Sequence, residues 1–309
     1  MLLGKVEGKW AVIDPIACPA ETDSVRKLIA TLSELTIDTF FDDELPPSDT
    51  TGLMEPIARI VIETDRSVTD GAGGTPRVVT ETREVLVGKP SQATLQRRYA
   101  SLSKDGPVVT INSASLTQET FMPTRYVLAR AIDGTIGDIG GVVMEPAQAA
   151  QSPAVDDAPT TPVSPPSAAT APLFPTRVYK RALDKWEEFA GGQQTVLPDE
   201  DAKQVNELLS FFAGEAPRQI DLKAPEGWTE RGTLRLLSLG GGPLSVLTVG
   251  SLADGSLSVR SDDVRGRSVY RTYTTGRAPL LLNPMAAALK AEADAKPKPP
   301  EPIDGDTMK

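Results

Sequence analysis

The sequence predicts an α+β fold made of two tandem copies of one module, each with an N-terminal strand, one helix and an antiparallel meander sheet. Three observations predict it. First, a series of short motifs runs twice in the same order. Gly8-Lys9-Trp10, Pro19-Ala20-Glu21, Leu86-Val87-Gly88 and Gly106-Pro107-Val108-Val109-Thr110 are matched by Asp184-Lys185-Trp186, Pro198-Asp199-Glu200, Val249-Gly250 and Arg267-Ser268-Val269-Tyr270-Arg271. Second, two segments carry apolar residues at helical spacing: Val25, Leu28, Ile29, Leu32 and Leu35, and later Val205, Leu208, Leu209 and Phe212. Third, each helical segment is followed by short alternating runs punctuated by Gly and Pro, the pattern of an antiparallel meander. The apolar stripe of each helix needs a partner, so each helix is expected to cover one face of its sheet.

The elements follow in order. Residues 6–13 alternate around Trp10 and read as a strand or hairpin arm. Residues 20–35 read as a helix: Pro19 precedes it, and Glu21 and Asp23 lie where the helix dipole favours negative charge. Residues 57–64 and 78–87 read as strands around a glycine-rich loop at 68–77, which takes up the extra length of the first copy. Residues 95–103 and 108–111 form a hairpin pair, 116–122 a short helix or turn, and 125–131 and 136–144 extended segments. This first module spans 1–144. Residues 145–172 are rich in Ala and Pro without an aromatic residue, and predict a flexible linker. Pro162-Val163-Ser164-Pro165 matches P-x-x-P, a spacing that Pro-rich linkers supply by chance. The second module spans 173–291. It has a strand region at 177–189, a helix at 198–212, and strands at 233–239 and 244–249 around Gly240-Gly241-Gly242. A pair at 257–260 and 268–273 and a short helix at 284–291 complete it, and 292–309 form a disordered tail.

Composition narrows the chemistry. The 309 residues carry a net charge of -10, which disfavours a phosphate backbone as the main partner. There is no histidine, so Ser-His-Asp and Cys-His catalysis and most zinc and iron sites are excluded. One cysteine, Cys18, excludes an intrachain disulfide and reads as a small, partly buried hydrophobe. No apolar run is long enough to span a bilayer, and Met1-Leu2-Leu3 is too short for a signal-peptide core, so the chain is expected to be soluble as given. No cofactor, catalytic group or metal site is expected.

The motif order resembles a bacterial domain-of-unknown-function family that accompanies gliding-motility-type ABC transporters and their auxiliary subunits. The residues that carry the resemblance are Gly8-Lys9-Trp10, Pro19-Ala20-Glu21, Gly52-Leu53-Met54-Glu55-Pro56, Leu86-Val87-Gly88, Tyr99-Ala100 and Val108-Val109. In the second copy they are Trp186, Pro198-Asp199, Val249-Gly250 and Val269-Tyr270. The Gly-Leu-x-x-Pro element is reduced there to Gly227-Trp228, and the family's N-terminal membrane helix has no counterpart. The resemblance implies a non-enzymatic accessory protein on the extracytoplasmic side of the cell envelope. Its implied partner is an ABC-transporter-type membrane complex, with any membrane association through that partner or a missing anchor.

Several residue groups offer candidate chemistry. Ser101-Leu102-Ser103-Lys104 matches Ser-x-x-Lys, so a hydrolase using Ser101 and Lys104 is one alternative; that chemistry needs the Ser at a helix start, whereas this motif runs into a turn. A carbohydrate or cell-wall binding module using Trp228 and Tyr270 is another. Asp133-Gly134 with Asp138, and Asp254-Gly255 with Asp262-Asp263, read as turns before calcium loops. Gly71-Ala72-Gly73-Gly74 and Gly240-Gly241-Gly242 lack the Lys-Ser/Thr and helix of a phosphate loop. Arg260, Arg265, Arg267, Arg271 and Arg277 concentrate positive charge in an acidic chain, a candidate patch for docking an acidic partner or anionic lipid heads.

Overall fold

The structure, a computed structural model, describes residues 1–41, 46–69, 75–91, 94–103, 106–147, 176–274 and 279–282. Of the linker expected at 145–172, residues 145 and 146 instead end the strand Ile139–Pro146, and 148–172 lie outside the described residues, as do the helix at 284–291 and the tail. Strands make up 49 % of the structure and helices 19 %, so the fold is mostly β and not the expected α+β pair of modules. The difference has a local cause. Short segments such as Ile37–Phe40 and Gln219–Asp221 become strands by pairing with distant partners, and Gln193–Val196 by folding back on the strand just before it. Residues 77–91 form one long strand through Pro90, which sits where the register to its neighbour breaks.

The chain divides into two compact units, Thr22–Arg125 and a larger one formed by Met1–Glu21 with Tyr126–Lys309. The smaller unit holds α1 (Thr22–Ser33), β4 (Ile37–Phe40), the single-turn α2 (Ser48–Thr51), β5 (Ala58–Val68), β6 (Arg77–Ser91), β7 (Thr94–Ser101) and β8 (Val108–Asn112). Its five strands are all antiparallel, in the order β4-β8-β7-β6-β5. Leu32 of α1 and Leu35 just beyond it pack against Val87, Ala100, Val109, Ile111 and Leu116. The helix stripe read in the sequence is thus only partly used, and Ile29 remains 46 % exposed.

The larger unit holds β1 (Leu2–Val6), β2 (Lys9–Asp14) and β3 (Cys18–Pro19), which form a three-stranded sheet. It continues with β9 (Ile139–Pro146), β10 (Arg177–Ala182), β11 (Lys185–Ala190), β12 (Gln193–Val196), α3 (Asp199–Gly214) and β13 (Gln219–Asp221). Then come β14 (Thr229–Ser238), β15 (Pro243–Ser251), β16 (Leu257–Asp262) and β17 (Ser268–Tyr273). The nine strands from β9 onward join one sheet in the order β12-β11-β10-β9-β14-β15-β16-β17-β13. Helix α3 starts with Asp199, Glu200 and Asp201 in its first turn, which suits the helix dipole. It buries Val205, Leu208, Leu209, Phe211 and Phe212 in a core with Met144, Leu234, Leu247, Val259 and Tyr273. Trp186 joins that core, and its indole N–H donates to Asn206 Oδ1 of α3 at 3.0 Å.

The paired motifs mark a repeated strand order rather than two separate modules. In each half a three-stranded meander leads to a helix, and the next short strand returns to the far edge of a four-stranded meander. The orders β4-β8-β7-β6-β5 and β13-β17-β16-β15-β14 are the same path. Gly88 and Gly250 hold equivalent places in it. A Cβ at Gly88 would lie 2.1 Å from the Thr51 carbonyl oxygen and 3.2 Å from the Leu53 side chain; one at Gly250 would lie 2.5 Å from Trp228 Nε1. Leu53 and Trp228 each follow a glycine with positive φ, Gly52 and Gly227. A bulky side chain therefore covers a strand glycine in both halves.

One strand breaks the equivalence. β9, which the sequence assigned to the first module, lies in the middle of the nine-stranded sheet, bonded to β10 on one side and β14 on the other. Its Ile139, Val142 and Met144 are at most 1 % exposed. Among the described residues no strand takes the matching place beside β5 or beside β1.

Candidate functional site

A cleft of about 390 Å³ opens in the larger unit, and Cys18, Asp133, Asp138, Ser261, Asp263 and Arg271 contribute to its lining. It forms where residues 126–132 run beside residues 19–21. Val127 bridges Ala20, the Glu21 N–H donates to the Tyr126 carbonyl at 2.8 Å, and the Leu128 N–H donates to the Pro19 carbonyl at 3.0 Å.

Arg271 of β17 organises this region. It is 3 % exposed. Its Nη2 donates to the Leu128 carbonyl at 3.0 Å, its Nε to the Ala129 carbonyl at 3.1 Å, and its Nη1 to Ser261 Oγ at 2.8 Å. Burial lowers its pKa below the ordinary arginine value, with Tyr273 and Cys18 opposing that shift. The guanidinium fork thereby ties the sheet to an irregular segment more than 140 residues earlier in the chain.

Asp263 is a second tie. Its carboxylate accepts from the N–H groups of Ala17 (3.0 Å), Arg265 (2.8 Å) and Arg267 (2.9 Å), and from Arg267 Nε (2.9 Å). Desolvation raises its pKa, but these donors outweigh it and hold the group well below the usual carboxylate range. A depressed carboxylate pKa adds stability above the unfolded value, and that stability is lost as pH falls through the folded value. We expect Asp263→Asn to lower the urea midpoint by the same amount at pH 7 and pH 5. The gap to wild type should close only as pH is lowered below the ordinary 3.8. Urea melts of both proteins across that range check this; a gap that closes above pH 5 would contradict it.

Cys18 lines the same cleft as these groups. Burial pushes its thiol up to about 11; Arg271 and Arg267 pull it down and Asp263 pushes it further up. At neutral pH it is a thiol and not the thiolate that a nucleophile requires.

The structure separates the five arginines. Arg271 is buried as described. Arg267 bonds Asp263, and its Nη1 reaches Asp14 Oδ1 at 3.3 Å. Arg260 reaches Glu230 at 3.7 Å and Asp262 at 3.3 Å, with its guanidinium 5.4 Å from the centre of the Trp228 ring. Arg265 is exposed and bonds Asp263 through its backbone. Arg277 lies outside the described residues. Residue patterning could not separate these roles, because the carbonyls that Arg271 serves belong to an irregular segment.

Other predicted groups have ordinary surroundings. Ser101 ends β7, is 2 % exposed and donates to the Ser103 carbonyl at 2.7 Å; Lys104 lies outside the described residues. Asp138 accepts from Thr135 Oγ1 at 2.7 Å, and that bond first, then one from the Thr135 N–H, lowers its pKa. Asp254 accepts from the Ser256 N–H at 2.9 Å within its turn. Trp228 and Tyr270 meet edge to face at 5.4 Å between ring centres, and Tyr270 is 8 % exposed. Gly240–Gly242 form the β14–β15 turn, where the Gly242 N–H donates to Ser238 Oγ at 3.0 Å. Among the described residues, no group of three or more His, Cys, Asp or Glu is placed to hold a metal, and no helix is long and apolar enough to cross a membrane. No family model, curated protein or solved structure matches this chain.

Proposed function

We propose that this chain is a non-catalytic accessory or scaffold protein of a bacterial envelope transporter-like complex, acting through protein–protein contacts at its sheet edges. The carrying observation is β9. A strand from outside the second repeat enters it between β10 and β14, so this architecture accepts an added strand, while among the described residues β1 and β5 keep open edges in the first. Backbone pairing at such an edge gives affinity without special side chains. The envelope setting and the ABC-transporter-type partner rest on the motif resemblance. The groups in the cleft favour the same reading: Arg271 and Asp263 fasten chain segments to one another, and Cys18 is held protonated.

The test is a photo-crosslinking residue placed at Val61 on β5, at Lys5 on β1, or at Val264, a 99 % exposed turn residue that serves as control. Each protein is illuminated with membranes of the native host, and adducts are identified by mass spectrometry. Adducts with transporter-type subunits from Val61 or Lys5, but not from Val264, are expected. Their absence from both edges would overturn the transporter reading.

A further inference from the structure

The sheets end in six edge strands among the described residues: β1, β3, β4, β5, β12 and β13. Five of them have between two and five residues, and a short edge offers little for another chain to pair with. β5 has eleven. It pairs with β6 in unbroken register from Ala58↔Val87 to Val68↔Arg77, so no bulge twists its edge away. It contains no Pro and no Lys, and the charges it does carry, Arg59, Glu63, Asp65 and Arg66, admit only a partner strand whose charges match them. Val61 and Ile62 on it are 47 % and 38 % exposed. The matching strand of the second repeat, β14, has this same edge filled by β9.

We propose that the β5 edge is an isologous interface that pairs antiparallel with β5 of a second copy of this chain. The reading rests on the view that this repeat is completed by strand addition, and it names the added strand. The run Arg59-Ile60-Val61-Ile62-Glu63 is self-complementary. An antiparallel pair related by a two-fold axis must place that axis at a residue, because only residues facing outward on both strands can bond. With the axis at Val61, Val61 meets Val61, Ile60 meets Ile62 twice, and Arg59 meets Glu63 twice. Moving the axis to Ile60 sets Arg59 against Val61, and moving it to Glu63 sets Ile60 against Arg66. An axis at Ile62 keeps an Arg59–Asp65 match but sets Val61 against Glu63. The Val61 register alone satisfies both charge and apolar matching. It also continues the apolar face on which Ala58 and Ile60 already pack, now through Ile62 of both copies. Arg59 bonds Glu84 of β6 on the face it shares with Val61 and Glu63, so Glu63 of a second copy would share the guanidinium with that carboxylate.

The test is sedimentation of the full chain and two charge variants. Wild type is expected to be a dimer at micromolar concentration. Arg59→Glu sets Glu against Glu twice, and Glu63→Arg sets Arg against Arg twice, so each variant alone should dimerise at least about tenfold more weakly. Mixed, the two restore both opposite-charge pairs and should form a heterodimer. The mixture also controls for the lost Arg59–Glu84 bond, which the Arg59→Glu variant lacks with or without its partner. In a Cys18→Ser background, Val61→Cys should give a disulfide-linked dimer, with Val264→Cys as the unlinked control. A wild type monomeric at about 100 μM, or a mixture that stays monomeric, would overturn the self-pairing. A monomer whose Val61 still crosslinks to another protein would overturn it too, while leaving strand addition standing. No adduct of any kind at Val61 would remove β5 from both readings.

Discussion

Replacing Arg271 with Met should destabilise the protein by about 3 kcal/mol, the order expected when buried partners of a charged group are left unpaired. Met resembles the arginine stem in volume, so little of this loss comes from a cavity. It comes from the carbonyls of Leu128 and Ala129 and the hydroxyl of Ser261, all of which lose their donor. Lys should recover only part of the loss, since a single ammonium cannot reproduce a planar fork that reaches three acceptors. Arg265→Ala should stay within about 0.5 kcal/mol of wild type, because its exposed side chain lies away from these bonds. Urea unfolding of the three variants checks the order. If Arg271→Met and Arg265→Ala prove equally mild, the guanidinium does not tie the segments as described. The contrast also decides how the arginines can be probed for docking: charge reversal at Arg271 would report folding, whereas reversal at Arg265 would report surface charge.

The same residues show what could be read in advance. Helix α3 was legible because its signals are local: acidic residues open it, and Val205, Leu208, Leu209 and Phe212 recur on one face. The β14–β15 hairpin was legible from its glycines. The class was not, because a strand such as Gln219–Asp221 exists by its pairing with β17, and three residues carry no periodicity. β9 reads as extended, and its composition also carries a weak signal for a place inside a sheet. Ile139-Gly140-Gly141-Val142-Val143-Met144 is nearly continuous in small and apolar residues, as befits a strand with neighbours on both sides and little water on either face. Arg271 reads as a surface charge for a similar reason. In β17 every residue from Val269 to Tyr273 is buried, so alternation does not distinguish a wet face. An arginine in a run such as Val-Tyr-Arg-Thr-Tyr, where no face is reserved for water, is the hint that a buried acceptor set awaits it.

Phe212→Ala should cost about 3–5 kcal/mol, the range for deleting a large buried aromatic. Phe212 is fully buried on α3, with its ring edge-on to Phe211 at 5.1 Å and to Tyr273 of β17 at 6.4 Å. Its carbonyl, near the helix end where intrahelical donors run out, accepts from the N–H groups of Ala131 and Ile132 at 2.9 and 3.2 Å. The residue thus clamps the helix to the sheet through its ring and to the segment ahead of β9 through its backbone. Alanine keeps the backbone bonds and removes only the ring, so the measured loss isolates packing. Leucine, which refills part of the space, should cost less than half as much. Urea melts give the two values, and hydrogen exchange locates the effect. Protection should fall first at Ala131 and Ile132 and then along β9, because the α3 surface that holds them has lost its anchor. A loosened β9 would in turn uncover the edge of β14, so the alanine variant should also aggregate on mild heating where the leucine variant does not. An alanine variant that loses stability without this exchange pattern would mean that the ring serves the core alone and the helix end does not hold β9 in place.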